Sequence, residues 1–219
     1  KGVAYSCAPK LTPPVLSDDI PVLNTLTLGG GTLTRNGTDQ VALTLRNNAS
    51  NSLALNSSTI SNNAIIRFAP TANASTPKTV SIPGGDYGTA QIEAYAQTNS
   101  GVTQPQGAIN YQLSGNIAGA GSLNIYADSN LSTTFGLNSY SLYYTTPGLL
   151  YLGKDCAKGA VTFNSSSGSV TLASTPVSSI VADNAGSHTL NMNSSTWNIS
   201  GDWRPEGLTS DTSSSLSVV

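Results

Sequence analysis

Apolar residues recur at every second position in short bursts along most of this chain, the signature of strands that bury one side. Val41, Leu43 and Leu45 alternate with Ala42, Thr44 and Arg46. The alternation returns at Val80/Ile82, Ala90/Ile92/Ala94, Ile109/Tyr111/Leu113 and Leu123/Ile125/Ala127. It continues at Val161/Phe163, Val170/Leu172, Leu190/Met192, Trp197/Ile199 and Leu216/Val218. Turn-forming clusters separate the bursts: Asn36-Gly37, Pro83-Gly84-Gly85, Pro147-Gly148 and Asn184-Ala185-Gly186-Ser187. No window carries an i, i+3, i+4 apolar stripe of helical length, and the interleaved Thr, Ser and Tyr favour strands. The pattern predicts an all-β chain, specifically an Ig-like Greek-key β-sandwich of short strands. No internal repeat of fixed period is visible.

The first 28 residues differ from the rest. Pro9, Pro13, Pro14 and Pro21 keep them out of central strands, and Gly29-Gly30-Gly31 forms a joint before regular alternation begins. Residues 1–28 therefore read as an N-terminal extension, candidate donor strand and linker, and residues 29–219 as the sandwich head; a coil packed along that head is the alternative.

Composition changes the picture from a generic β-domain to an extracellular one. Only 9% of residues are charged, against about 25% in ordinary soluble domains. Ser, Thr and Asn number 32, 25 and 20, so hydroxyls and amides must carry solubility. A net charge of −2 offers no basic field for nucleic acid or anionic lipid. The longest apolar runs, such as Leu149-Leu150-Tyr151-Leu152, are too short to cross a bilayer. The expectation is a secreted chain whose Lys1 follows a removed signal peptide, with no nucleic-acid partner and no direct membrane insertion. Low charge also suits acid surroundings, because few carboxylate pairs are there to be lost.

Cys7 and Cys156 are the only cysteines, and an even pair in such a chain suggests one disulfide, with two free thiols as the alternative. Eight N-x-S/T sequons begin at Asn36, Asn48, Asn56, Asn73, Asn130, Asn164, Asn193 and Asn198. Each is weak evidence alone; spread along a chain of secreted composition, they make N-linked glycans expected.

The catalytic inventory is thin. His188 is the only histidine, so a Ser-His-Asp triad would have to use it with Asp183 or Asp202, and no G-x-S-x-G elbow accompanies any serine. A lone histidine beside a turn reads as a solvated surface residue. Glu93 and Glu206 are the only glutamates, and Glu93 falls on the polar phase of its strand with Gln91 and Tyr95, which a solvated face explains. Asp128-Ser129-Asn130 and Asp183-Asn184 lack the spacing of a calcium loop. No catalytic residue, metal ligand or cofactor is assigned, and the chain reads as a non-enzyme. Tyr140, Tyr143, Tyr144 and Tyr151, with Trp197 and Trp203, are either a sugar-stacking platform or core and cross-strand pairs.

A head lacking one strand, joined to a loose extension, can be completed by a neighbour's strand, and that contact runs head to tail. Val3, Tyr5 and Cys7 alternate and are the candidate inserted side chains; Ile20/Val22 and Leu26/Leu28 are a second stretch. With its Pro-broken residues 1–28, glycine joint, period-two head, two cysteines and sequons, the chain resembles donor-strand-linked pilins. Within that group it is most similar to the thread filament subunits of thermoacidophilic archaea, and more widely to bacterial chaperone–usher pilins. No motif in the resemblance is specific; bacterial pilins are usually shorter and commonly hold their disulfide within the head, whereas Cys7 lies in the extension. The resemblance implies a pilin-like sandwich in an extracellular filament of identical, N-glycosylated subunits, serving adhesion or biofilm formation. The Cys7–Cys156 bond then lies either within one subunit or between two. A carbohydrate-binding tip adhesin is the main alternative; a secreted β-sandwich hydrolase and a viral structural protein rank below it.

Overall fold

The computed structural model describes residues 5–7, 15–16, 26–35, 42–46, 53–60, 64–70, 77–96, 108–119, 121–128, 131–144, 149–153, 159–172, 179–182, 187–200, 203–204, 208–211 and 215–218. The chain runs through β1 (Tyr5–Cys7), β2 (Val15–Leu16), β3 (Leu26–Leu28), β4 (Thr32–Arg35), β5 (Ala42–Leu45), β6 (Leu53–Ala54) and β7 (Thr59–Ile60). Next come β8 (Ile65–Phe68), β9 (Lys78–Ile82), β10 (Gly85–Asp86), β11 (Gln91–Ala96), β12 (Ile109–Leu113) and β13 (Ile117–Gly119). They are followed by β14 (Ser122–Ala127), β15 (Ser132–Gly136), β16 (Leu142–Tyr144), β17 (Leu149–Leu152), β18 (Ala160–Asn164) and β19 (Ser169–Leu172). The last are β20 (Ser179–Ala182), β21 (His188–Asn191), β22 (Thr196–Ile199), β23 (Trp203–Arg204), β24 (Leu208–Asp211) and β25 (Ser215–Val218).

Every pairing among the described strands is parallel. From β3 onward each pairing joins a strand to the one three places later, which gives a coil of three strands per turn. A seven-stranded sheet (β5 to β23) forms the first face; six-stranded sheets form the second (β9 to β24) and third (β10 to β25). Two three-stranded sheets, β1-β3-β6 and β2-β4-β7, lie in the earliest coils. The fold is a parallel β-solenoid.

The all-β expectation holds and the Ig-like, pilin-like Greek-key sandwich is corrected. A Greek key needs antiparallel neighbours, and the described strands have none. Alternation shows which side of a strand is buried, not which way its neighbour runs. Parallel strands usually read as continuous apolar runs because both faces are covered. Here the second and third faces bury mainly their inner side, so strands such as β12, β18 and β19 carry the same alternation as a sandwich. Among the described residues, Pro83-Gly84 marks a corner and not a reversal: it separates β9 from β10.

The core is a set of columns through the coil. Leu43, Ile66, Ile92, Leu123 and Leu150 stack in register on the first face, and Tyr111, Phe135, Phe163 and Leu190 on the second. Ile117, Leu142, Val170 and Trp197 stack on the third. All of these are buried. Phe163 lies parallel to Phe135 at 5.7 Å and edge-on to Trp197 at 5.6 Å, so aromatic contacts knit two faces together.

Corners between the second and third faces use short polar turns in which Asn56, Asn138, Ser166 and Asn193 take positive φ. Asn and Ser, whose side chains bond locally, tolerate that conformation better than most residues. Their side chains also tie one coil to the next. Asn193 Nδ2 donates to Asn164 Oδ1 at 2.6 Å, and Asn138 Nδ2 donates to the Leu113 carbonyl at 3.1 Å. Ser165 and Ser195 share a hydrogen bond at 2.7 Å, with Trp197 Nε1 donating to Ser195 at 2.8 Å. At the opposite corner, coils approach so closely that a Cβ on Gly121 would meet the Ala90 carbonyl oxygen at 2.0 Å.

Tyr144 points into the core of the third face, and its hydroxyl has no hydrogen-bond partner among the described residues. A buried hydroxyl left unpaired costs free energy that a phenyl ring does not. Tyr144→Phe is therefore expected to raise stability by up to about 1 kcal/mol, or about 2–4 °C in Tm. A thermal melt checks it; a marked fall in Tm would contradict the assignment.

Candidate functional site

The chemistry-bearing side chains collect on the outer side of the first face. Alternation turns Arg67 of β8, Glu93 of β11, Asn124 of β14 and Tyr151 of β17 outward, and the register sets them side by side. Tyr95 and Tyr126 form the next pair along, their rings stacked at 4.3 Å.

Glu93 is the centre. Its Oε2 accepts Arg67 Nε at 2.6 Å and the Tyr126 hydroxyl at 2.8 Å, while Oε1 accepts Gln91 Nε2 at 2.7 Å. Although outward in phase, Glu93 is 0% exposed, and Asn124 and Tyr126 are buried beside it. The solvated face expected for Glu93 is thus a shielded ion pair. Burial works to lower the Arg67 pKa; the Glu93 carboxylate, with Tyr126, outweighs this and holds it above its usual value. Tyr95 donates to Asp128 Oδ1 at 2.5 Å, and its pKa is raised by burial first and by that carboxylate second. Tyr126 is raised by burial and then by Glu93. The arrangement locks two carboxylates into tyrosine and arginine hydrogen bonds, which fixes the outer face of three neighbouring coils.

Other expected residues scatter. His188 is not on the surface: it is 1% exposed, turned inward between Val161 and Leu208 of adjacent coils. The tyrosine cluster divides, with Tyr144 in the core, Tyr140 packed against it and Tyr151 outward on the first face. Tyr143 is outward on the third face and 47% exposed, and Trp197 lies in the core. Trp203 is on β23.

Tyr5 and Cys7 lie on β1, paired with Leu26 and Leu28 of β3, while Val3 and Cys156 fall outside the described residues. Asn36, Asn48, Asn73, Asn130, Asp183, Asn184, Asp202 and Glu206 also fall outside them. Asn56 and Asn193 sit at second-to-third-face corners, Asn164 ends β18 just before one, and Asn198 is on the outer side of β22. No trio of His, Cys, Asp or Glu able to hold a metal occurs among the described residues.

Sequence reasoning missed Arg67 and Tyr126 as partners of Glu93. The available signal was an arginine inside Ile65-Ile66-Arg67-Phe68 and a glutamate inside Ile92-Glu93-Ala94, opposite charges within apolar strands of a nearly uncharged chain. It also missed a groove of about 630 Å³ where β6 and β9 fail to pair, lined by Leu26, Leu53, Leu55, Asn56, Pro83 and Asp86 among others. Comparison with protein-family models, curated proteins and solved structures finds no match.

Proposed function

We propose that this chain is a non-catalytic structural subunit of an extracellular surface filament, N-glycosylated and associated with copies of itself, serving adhesion or biofilm formation. The observation that carries the reading is where reactive and neutral groups sit. The acid at the centre of the polar cluster is buried and already bonded to three donors, and the single histidine is in the core. The outer rows instead repeat hydroxyls and amides: Thr79, Asn110, Thr134, Thr162 and Thr189 follow one another up the second face. Such a surface stays hydrated without ionised groups. In a solenoid an interior coil takes strand partners from the coils on either side, yet β6 and β9, and β7 and β10, stay unpaired here. With no sandwich to complete, association falls to the solenoid's surfaces and to its open strand edges.

Negative-stain microscopy of the native secreted protein tests the reading. Filaments of a single subunit are expected. Monodisperse particles that depolymerise a polysaccharide, with activity lost in Glu93→Gln, would replace it with an enzyme.

A further inference from the structure

Four sequons lie among the described residues, and they are not equivalent. Ser58, which completes the Asn56 sequon, is 3% exposed and accepts the Gly30 N–H at 3.0 Å. Asn164 is half-buried, its Oδ1 accepting the Ser166 N–H at 3.0 Å, the Ser166 hydroxyl at 3.1 Å and Asn193 Nδ2 at 2.6 Å. Asn193 thereby commits the nitrogen a sugar would occupy. Ser195, which completes its sequon, is 1% exposed and bonds Ser165, Trp197 and the Met192 carbonyl. In Asn198-Ile199-Ser200 alone of the four, both the asparagine and the hydroxyl residue are exposed, and Ile199 anchors the strand in the core.

Asn198 also has a neighbour suited to sugar. It stands in one outward row with Thr171 and Tyr143 on successive strands, so Tyr143 is two strand spacings away, about 10 Å. Tyr143 is the exposed large hydrophobic side chain among the described residues, at 47%, and Ala118 and Thr171 flank it on neighbouring strands. A single exposed tyrosine is ordinary. One flanked by small residues, in the same row as the one sequon exposed at both positions, is a ring onto which the C–H face of a pyranose can fold.

We propose that Asn198 is the glycosylated sequon among these four and that the first sugars of its glycan lie across Thr171 onto the Tyr143 ring. The proposal rests on the extracellular, sugar-bearing reading and names its site. In the transfer, Asn198 Nδ2 bonds to the anomeric carbon of an oligosaccharide carried on a lipid phosphate. The bond from that carbon to the phosphate oxygen breaks, and one amide proton leaves with the phosphate.

The test is site-resolved glycopeptide mass spectrometry of the native secreted protein, together with tetranitromethane nitration of Tyr143 in wild type and Asn198→Gln. Asn198 should be occupied with Asn56, Asn164 and Asn193 bare, and Tyr143 should nitrate several-fold faster in the variant. Ser200→Ala, which keeps Asn198 but removes the sequon's hydroxyl, should match it if Asn198→Gln fails to fold. Glycan at other sequons with Asn198 bare, or on Asn56, Asn164 or Asn193, overturns the site and leaves the glycosylated reading standing. Bare asparagines at all eight overturn both. Equal nitration with Asn198 occupied overturns the packing on Tyr143.

Discussion

Raising the pH above about 10, the ordinary tyrosine pKa, is expected to unfold this protein cooperatively. Tyr87, Tyr111, Tyr126 and Tyr144 are all buried, and burial is the leading cause that pushes each phenol above its ordinary value. The neutral phenol is favoured in the folded state. Its contribution is therefore complete below the unfolded pKa and is lost as pH climbs toward the folded one. Each such group removes up to about 1.4 kcal/mol per pH unit in that window. Four together remove on the order of 5 kcal/mol per unit, against a typical total stability of about 5–15 kcal/mol. Tyr95 is raised too, but it is more open to solvent and contributes less. Far-UV circular dichroism recorded beside tyrosinate absorbance checks this. Loss of strand signal and appearance of tyrosinate should coincide. Tyrosines that ionise near pH 10 in a folded protein would show that the phenols are not sealed in the coil.

The second large effect is an asymmetry within the ion pair. Arg67→Met should cost about 3–5 kcal/mol, because it strands the Glu93 charge at 0% exposure. Glu93→Gln should cost less, about 1–2 kcal/mol, since the amide oxygen still accepts and Arg67, 30% exposed, can turn to water. The double variant Arg67→Met/Glu93→Leu should recover most of the loss, as replacing a buried pair by apolar groups often does. Urea unfolding of all three measures the differences. Equal losses for the two single variants would mean that the pair is solvated.

The individual strands were legible and their arrangement was not. Val161/Phe163, Leu190/Met192 and Trp197/Ile199 read as buried alternations, and those side chains fill the coil. What the alternation lacks is strand direction. The coil repeat, which would have supplied it, was blurred by unequal corner loops. Leu26 pairs with Leu53, 27 positions on, Ile92 with Leu123, 31 on, and His188 with Leu208, only 20 on. A search for a fixed period passes over such a chain. Glu93 was misplaced for a related reason: an outward phase means solvent only if nothing covers that face. His188 fell near a turn in sequence, yet its strand phase, shared with Leu190, points inward.

Between the early coils and the rest, β5 and β8 form the one hydrogen-bonded ladder among the described residues, since β6 and β9, and β7 and β10, do not pair. Stability in a stack of repeats passes only between nearest neighbours. Coupling through a single sheet is weaker there than across any boundary joined on three sides. Melting that starts in the early coils would therefore stop at that seam, leaving the later coils as an intact cooperative block.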